Sequence, residues 1–394
     1  MSRFWHVARE AAVPTSGRDF GASLLQWRIP RRDIGILPLI LCCPIMYYPK
    51  VVDGDTQPWV LIAGLIALFT FRTEHFVNKR DWPLVILSVL CVGAYAARAE
   101  VGFGLLRAAY TYVAFLVLWT VCQRDTGKYL TVAVKATVIV WFAVGILQYV
   151  LVHQGIDIGM GRYQPGRSGV PSLTAEASFY GSISMLQLMY LLSLRKPGNR
   201  IYIAAASASV VLSGSVLAML LLIFPLWKLP LKYRFLAAIV LAALVAGDYY
   251  LSSAGLGARL VSIGGGGADF GSAALDASLN LRLGNIYFTL VRNLIPSLLM
   301  QGPVSFMSQY NSFAHDSGVF IGVESDNILP ALGEMIYGSG IIGVALLMVF
   351  LKRALEHCRT RRSKFERLVF IFVCMLNPIS LSNIFLIMYA QVED

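Results

Sequence analysis

Three ionisable residues in GRYQPGRSGVPSLTAEASFYG (161–181) carry the first chemical suggestion in this chain: Arg162, Arg167 and Glu176. They stand where a loop rich in glycine and proline runs into an apolar helix. Charge is costly to hold at such a boundary, so its presence points to function. Two arginine forks suit an anionic ligand, because a guanidinium bonds phosphate or carboxylate bidentately and stays charged when partly buried. The glutamate offers a general base or a counter-charge. Alternatively, it caps the helix start together with Thr174, where the helix dipole favours a carboxylate.

Further candidates lie elsewhere. Arg282 and Arg292 punctuate NLRLGNIYFTLVRNLIPSLLM (280–300) with Asn285 and Thr289 at near-helical spacing, which predicts one polar face. Arg107 opens the apolar run LLRAAYTYVAFLVLW. Alone it reads as a snorkelling anchor; beside the other arginines it extends an electropositive cavity. Asp326 precedes the run 327–351 and is either its N-cap or a base. Glu334 sits inside that run, where a carboxylate more often pairs with an arginine than stands alone. His315, in the same region, is a reserve base. Asp53-Gly54-Asp55 spells a D-x-D, which reads as a turn in a chain without a Rossmann-like domain. There is no Walker A sequence, no G-x-S-x-G and no H-E-x-x-H. The six cysteines and five histidines show no ligand spacing, so no metal site, disulfide framework or cofactor is expected.

The elements that must position these residues are membrane helices. The chain has 394 residues, of which 57% are hydrophobic and 14% charged, and its mean hydropathy is +0.66. Apolar runs long enough to span hydrocarbon recur at 34–48, 57–72, 82–97, 105–122, 129–153, 175–194, 235–251, 327–351 and 368–390. Residues 1–33 form a basic tail with no signal-peptide core. With that tail in the cytoplasm, the inner segments hold 24 of the 33 lysines and arginines. Lys135 falls within a run. The outer set is Lys50, Arg98, Arg107, Arg162, Arg167, Arg259, Arg282 and Arg292. The net charge of +11 is thus mainly topology, and no nucleic-acid partner is expected.

The apolar stretch 201–227 has basic residues at both ends: Arg195, Lys196 and Arg200 before it, Lys228, Lys232 and Arg234 after. Its halves, about 20 Å each as helices, are too short for two crossings of ~30 Å. A re-entrant hairpin or short-helix pair broken near Ser213-Gly214-Ser215 satisfies the charge rule; a single tilted helix does not. Two outer loops are long, 154–174 and 252–326, and both fall on the same side. Within the second, 280–300 reads as an interfacial helix with its polar face turned toward the protein. A tenth span there would expose the basic cluster around Arg361. The expected fold is an all-α polytopic bundle, residues 34–394, with about nine spans, a re-entrant pair and two long periplasmic loops.

Three stretches in this order resemble the O-antigen ligase and Wzy-type polysaccharide polymerase superfamily. PSLTAEASFYG (171–181), preceded by Arg162 and Arg167, resembles its arginine-rich loop and Glu-Pro-Ser-Phe-like helix start, with Ala177 in place of the proline. NLRLGNIYFTLVRNLIPSLLMQGP (280–303) resembles its second outer loop, with Arg282 followed by Gly302. SDNILPALGEMIYGSGIIG (325–343) resembles its closing motif, Glu-x-x-x-Gly and a second glycine. SGSVLAMLLL (213–222) is similar to a fourth segment but lacks its arginine. Ligases carry a histidine before the asparagine of the closing motif. Asp326 stands there instead, which favours the polymerase branch.

The resemblance implies a GT-C-like fold in the bacterial inner membrane and transfer at its periplasmic face. The donor would be a growing glycan on undecaprenyl diphosphate, and the acceptor a lipid-linked repeat unit. Inversion at the anomeric carbon is expected. The diphosphate would be held by Arg107, Arg162, Arg167, Arg282 and Arg292 without a metal. Asp326 and Glu176 compete as base, with His315 in reserve. A chain-length regulator is an implied partner. The alternatives are an O-antigen ligase acting on a lipid A core, a flippase for lipid-linked glycans, and a non-catalytic scaffold. No internal repeat of the transporter kind is visible.

Overall fold

The computed structural model describes residues 58–70, 77–97, 103–124, 129–154, 156, 169–174, 176–228, 234, 277–299, 306–320, 331–376 and 380–393. The basic tail and the runs 34–48 and 235–251 lie outside them. Every described element is helical. Five expected runs become α1 (Trp59–Thr70), α2 (Trp82–Ala96), α3 (Phe103–Arg124), α4 (Tyr129–His153) and α5 (Ala177–Ser193). After α6 (Arg200–Leu212) come two short helices, α7 (Val216–Leu221) and α8 (Ile223–Lys228). The second loop holds α9 (Ala277–Tyr287), a π-turn at Phe288–Arg292, α10 (Leu294–Leu298) and α11 (Phe306–Ser317). The chain closes with α12 (Ala331–Glu356), α13 (Arg361–Met375) and α14 (Ile384–Gln391).

Three of these helices are long and apolar enough to cross a membrane: Leu105–Arg124, Tyr129–Val152 and Ala331–Glu356. They leave Leu106, Leu147, Ile341 and Met348 uncovered by protein, as helices facing lipid do.

Cross-helix contacts give the directions. Thr131 meets Tyr190 at 3.0 Å, and ten residues further along both helices Tyr180 Oη donates to the Trp141 carbonyl at 3.2 Å. Helices α4 and α5 are therefore antiparallel. The same holds for α2 and α12, with Arg353 beside Asp81 at one end and Gly338 beside Tyr95 further along. One end of the bundle is charged. There the buried Asp81 accepts from Gln123 Nε2 at 2.7 Å and pairs with Arg353 Nε at 3.4 Å, while Arg124 Nη1 donates to the Leu68 carbonyl at 3.0 Å.

The run 201–227 breaks at Ser213-Gly214-Ser215, with Gly214 at φ 57°. Ser213 Oγ donates to the Val210 carbonyl at 2.6 Å and accepts from Ser215 N at 3.2 Å, so the break satisfies its own backbone. Helices α6, α7 and α8 all pack on α5.

The run 368–390 is not one helix, contrary to the expectation. It is the end of α13, a turn, and α14. Asn383 caps α14, its Oδ1 accepting from Phe385 N at 3.0 Å and Leu386 N at 3.3 Å. Arg367, 2% exposed, donates to the carbonyls of Ala354 (3.0 Å), Ala390 (3.1 Å) and Val392 (2.7 Å). Gln391 Nε2 donates to the Trp119 carbonyl at 3.3 Å. Both feet of this hairpin therefore stand at the charged end. Residues 384–390 are buried all round, which explains why so short a helix is apolar on every face.

Candidate functional site

The end of the bundle away from the charged cluster holds the described candidates Arg107, Glu176, Arg282 and Glu334. Tyr95 stands fourteen residues from Asp81, and Thr111 twelve from Gln123. At 1.5 Å per residue they are about 18–21 Å from the charged end. Trp141 and Tyr180 lie at a similar height, and Glu176 is one helical turn beyond.

Glu176 begins α5, and its carbonyl accepts from Phe179 N and Tyr180 N. Its carboxylate makes no capping bond, contrary to the capping alternative. Thr174 instead donates to the carbonyls of Pro171 (2.7 Å) and Glu176 (2.6 Å). Ser178 Oγ donates to Glu176 Oε2 at 3.3 Å and itself accepts from Arg282 Nη2 at 3.1 Å. Arg282 is 6% exposed. A hydroxyl thus bridges a buried cation from the second loop to a carboxylate at the end of the first.

The chain feeding into Glu176 is tied down. Ser172 sits in the left-handed region (φ 51°), costly for a residue with a Cβ. Two bonds hold it: its Oγ donates to the Trp141 carbonyl, and its carbonyl accepts from Gln148 Nε2, both at 2.8 Å. Val170 N donates to the Leu212 carbonyl at 3.0 Å. Gly169, at φ 112°, lies so close to the Ser213 carbonyl that no Cβ fits, and Gly181 leaves room for the Ser213 hydroxyl. The break in 201–227 is therefore the seat on which the end of the first loop rests.

In the second loop, Asn280, Arg282, Asn285 and Thr289 are buried, while Leu283, Tyr287, Val291, Leu294 and Ile295 are exposed. The polar face turns inward. Arg292 does not share it: it is exposed because the π-turn, closed by Asn293 N on the Phe288 carbonyl at 2.8 Å, rotates the chain off the α-helical phase. Phe288 and Phe306 pack edge to face at 5.5 Å, and Phe306 packs on Tyr337 of α12 at 4.6 Å. The second loop thus touches both the start of α5 and the start of α12. Beside Phe306, burial pushes the Tyr310 phenol up to about 12.

Glu334 lines a pocket of about 340 Å³, open mouth included, with Tyr95, Ala108, Thr111, Tyr112 and Ser380. Arg107 and Glu334 both act electrostatically on Tyr95. The spacing Glu-x-x-x-Gly has a steric reason here: a Cβ on Gly338 would fall 3.1 Å from the Tyr95 ring. Tyr112 Oη lies 3.0 Å from Ser339 Oγ, just before the kink of α12 at Gly340 (φ 57°, ψ −138°).

His315 is exposed, with Nδ1 at 3.6 Å from Asp316 Oδ1. Arg162, Arg167 and Asp326 lie outside the described residues. Among the described residues no three of His, Cys, Asp and Glu gather as a metal site. The site residues that the sequence alone did not single out are Ser178, Tyr95, Thr111, Tyr112 and Ser380. Ser178, two residues from Glu176, carried the only local signal. No family model, curated protein or solved structure matches the chain.

Proposed function

We propose that this protein is a membrane glycosyltransferase, a polysaccharide polymerase of the Wzy type, working at the periplasmic face of a bacterial inner membrane. Its donor is a growing glycan on undecaprenyl diphosphate, and its acceptor a lipid-linked repeat unit. A sugar hydroxyl of the acceptor attacks the anomeric carbon of the donor. The new C–O bond forms as the bond from that carbon to the diphosphate breaks. The electron pair leaves with undecaprenyl diphosphate, and the hydroxyl proton passes to a carboxylate, Asp326 or Glu176. Attack opposite the leaving group inverts the anomeric centre.

The observation that carries this reading is the buried Arg282, held toward Glu176 through Ser178. A leaving group that is already anionic needs fixed cations more than it needs a proton donor. An arginine held before substrate arrives costs no reorganisation during reaction. Arg162, Arg167 and Arg107 complete the proposed cradle without a metal. The ordered sequence motifs supply the substrate class.

The proposed topology puts the charged end in the cytoplasm, following the excess of lysine and arginine there. If the sequence runs 34–48 and 235–251, which lie outside the described residues, are counted as spans, the proposed chain crosses eight times, with two hairpins, 201–227 and 368–390, entering from the cytoplasmic side. An even count returns the C-terminus to the side of the basic tail. The direct experiment gives purified protein only lipid-linked repeat units. A ladder of products supports the polymerase, and extension only when a lipid A core is supplied favours a ligase.

A further inference from the structure

The Glu334 pocket lies beside Arg107 of the proposed cradle, but no arginine lines it. Its lining sets the one carboxylate, Glu334, among the hydroxyl-bearing Tyr95, Thr111, Tyr112 and Ser380 and the apolar Ala108, Ala331, Met335 and Leu381, and most of its wall is apolar. Its closed part admits one water-sized group. Thr111 Oγ1 donates to the Arg107 carbonyl at 3.0 Å, which leaves its oxygen lone pairs for another donor. Ser380 is 2.6 Å from Ser382 in the turn of the C-terminal hairpin. Non-helical backbone at membrane depth occurs where it is buried in protein or lines a wet cavity. Here that turn lines the pocket, about two-thirds of the way across a ~30 Å hydrocarbon layer.

We propose that the Glu334 pocket receives one hydroxyl group of the acceptor sugar and so selects the acceptor. The proposal rests on the polymerase reading. The Glu334 carboxylate can accept a hydrogen bond from an O–H that enters this space, and the apolar side chains beside it suit the carbon face of a sugar. This lining is a poor match for a phosphate, which the arginines take. The hairpin turn is the pocket wall, and Arg367 fixes its height by holding the far end of α14. Such a site discriminates against an analogue lacking the hydroxyl, because the partly buried Glu334 carboxylate then loses that donor.

The test measures equilibrium binding of a radiolabelled lipid-linked repeat unit to the protein in nanodiscs, with no donor chain present. Glu334→Gln and Thr111→Val are expected to bind it at least about tenfold more weakly than wild type. A repeat unit lacking the acceptor hydroxyl is expected to bind all three proteins alike. Should Glu334→Gln fail to fold, Thr111→Val and Ser380→Ala give the same reading. No binding by wild type, or equal binding of the full repeat unit by wild type and the variants, overturns the proposal. Chain extension separates the two ideas. Hydroxyl-dependent binding without extension by wild type counts against the polymerase and leaves the pocket standing. Extension with an unchanged acceptor KM in the variants removes the pocket and leaves the polymerase.

Discussion

The guanidinium of Arg282 and the carboxylate of Glu176 are joined through one hydroxyl, that of Ser178, with donor–acceptor distances of 3.1 and 3.3 Å. The two charges come from different long loops and meet at the start of α5. A buried arginine needs such company, since an unpaired cation would be costly to hold. The same arrangement aims a fixed positive charge at the rim of the bundle.

If Arg282 stabilises the leaving diphosphate, Arg282→Ala should lower the rate of glycan extension by about 10²- to 10³-fold. Arg282→Lys should recover little, because an ammonium cannot reproduce the planar fork. Ser178→Ala should cost less, since it removes the bridge and leaves the charge. Initial rates of product-ladder formation check this order. An Arg282→Ala protein with wild-type rate would remove the arginine from the chemistry.

Gly169 and Gly198 make a matched pair. A Cβ at Gly169 would strike the Ser213 carbonyl and demand a left-handed residue, whereas nothing lies within 4 Å of one at Gly198. Gly169→Ala should destabilise the protein by about 1–3 kcal/mol, and Gly198→Ala should be neutral within ~0.5 kcal/mol. Thermal unfolding in detergent reads both. Equal melting temperatures would mean that the seat on Ser213 does not hold the first loop.

Much of this was legible in the sequence, for stated physical reasons. Apolar runs bounded by charge mark α1 to α5 and α12 to within a few residues. Ser213-Gly214-Ser215 announced a break because small polar residues interrupt an apolar run. Arg282, Asn285 and Thr289 announced an inward face by spacing. The turn before α14 was hidden, although Pro378 and Asn383 are ordinary helix punctuation, because the surrounding 23 residues are hydrophobic enough to read as a span. Arg367 looked like one more cytoplasmic charge; that it is buried among carbonyls depends on α12 and α14 meeting. The Glu334 pocket was beyond sequence reasoning, since α2, α3, α12 and the hairpin turn build it together.

Arg367 provides a test of the hairpin. Arg367→Met keeps bulk but leaves two buried carbonyls and one part-buried carbonyl without this donor, which should cost about 3 kcal/mol. The topology has its own readout. A cysteine at position 359 and a tag following residue 394 should both be reached from the cytoplasmic side of sealed vesicles. Labelling of the tag from the opposite side would contradict the paired feet of the hairpin.

His357 should make stability depend on pH. Desolvation lowers its pKa first and Arg367 second, while Glu393, Glu356 and Asp81 oppose them. A histidine held below its unfolded value of 6.5 favours the neutral form in the folded protein. Its stabilising contribution is therefore full above that value and is lost as pH falls through it toward the folded pKa. The melting temperature should fall as pH drops below the unfolded value of 6.5, and His357→Gln should flatten that slope. An unchanged slope would assign the acid sensitivity to other groups.

The central claim is polymerisation by a protein-borne cation cradle, and the most direct measurement is a side-by-side extension assay. Purified wild type and Arg282→Ala are each given lipid-linked repeat units alone, and the products are resolved by length. A ladder from the wild type that collapses to unextended repeat units in Arg282→Ala is the expected result. No extension by a folded wild-type protein, or the same ladder from both, would contradict it.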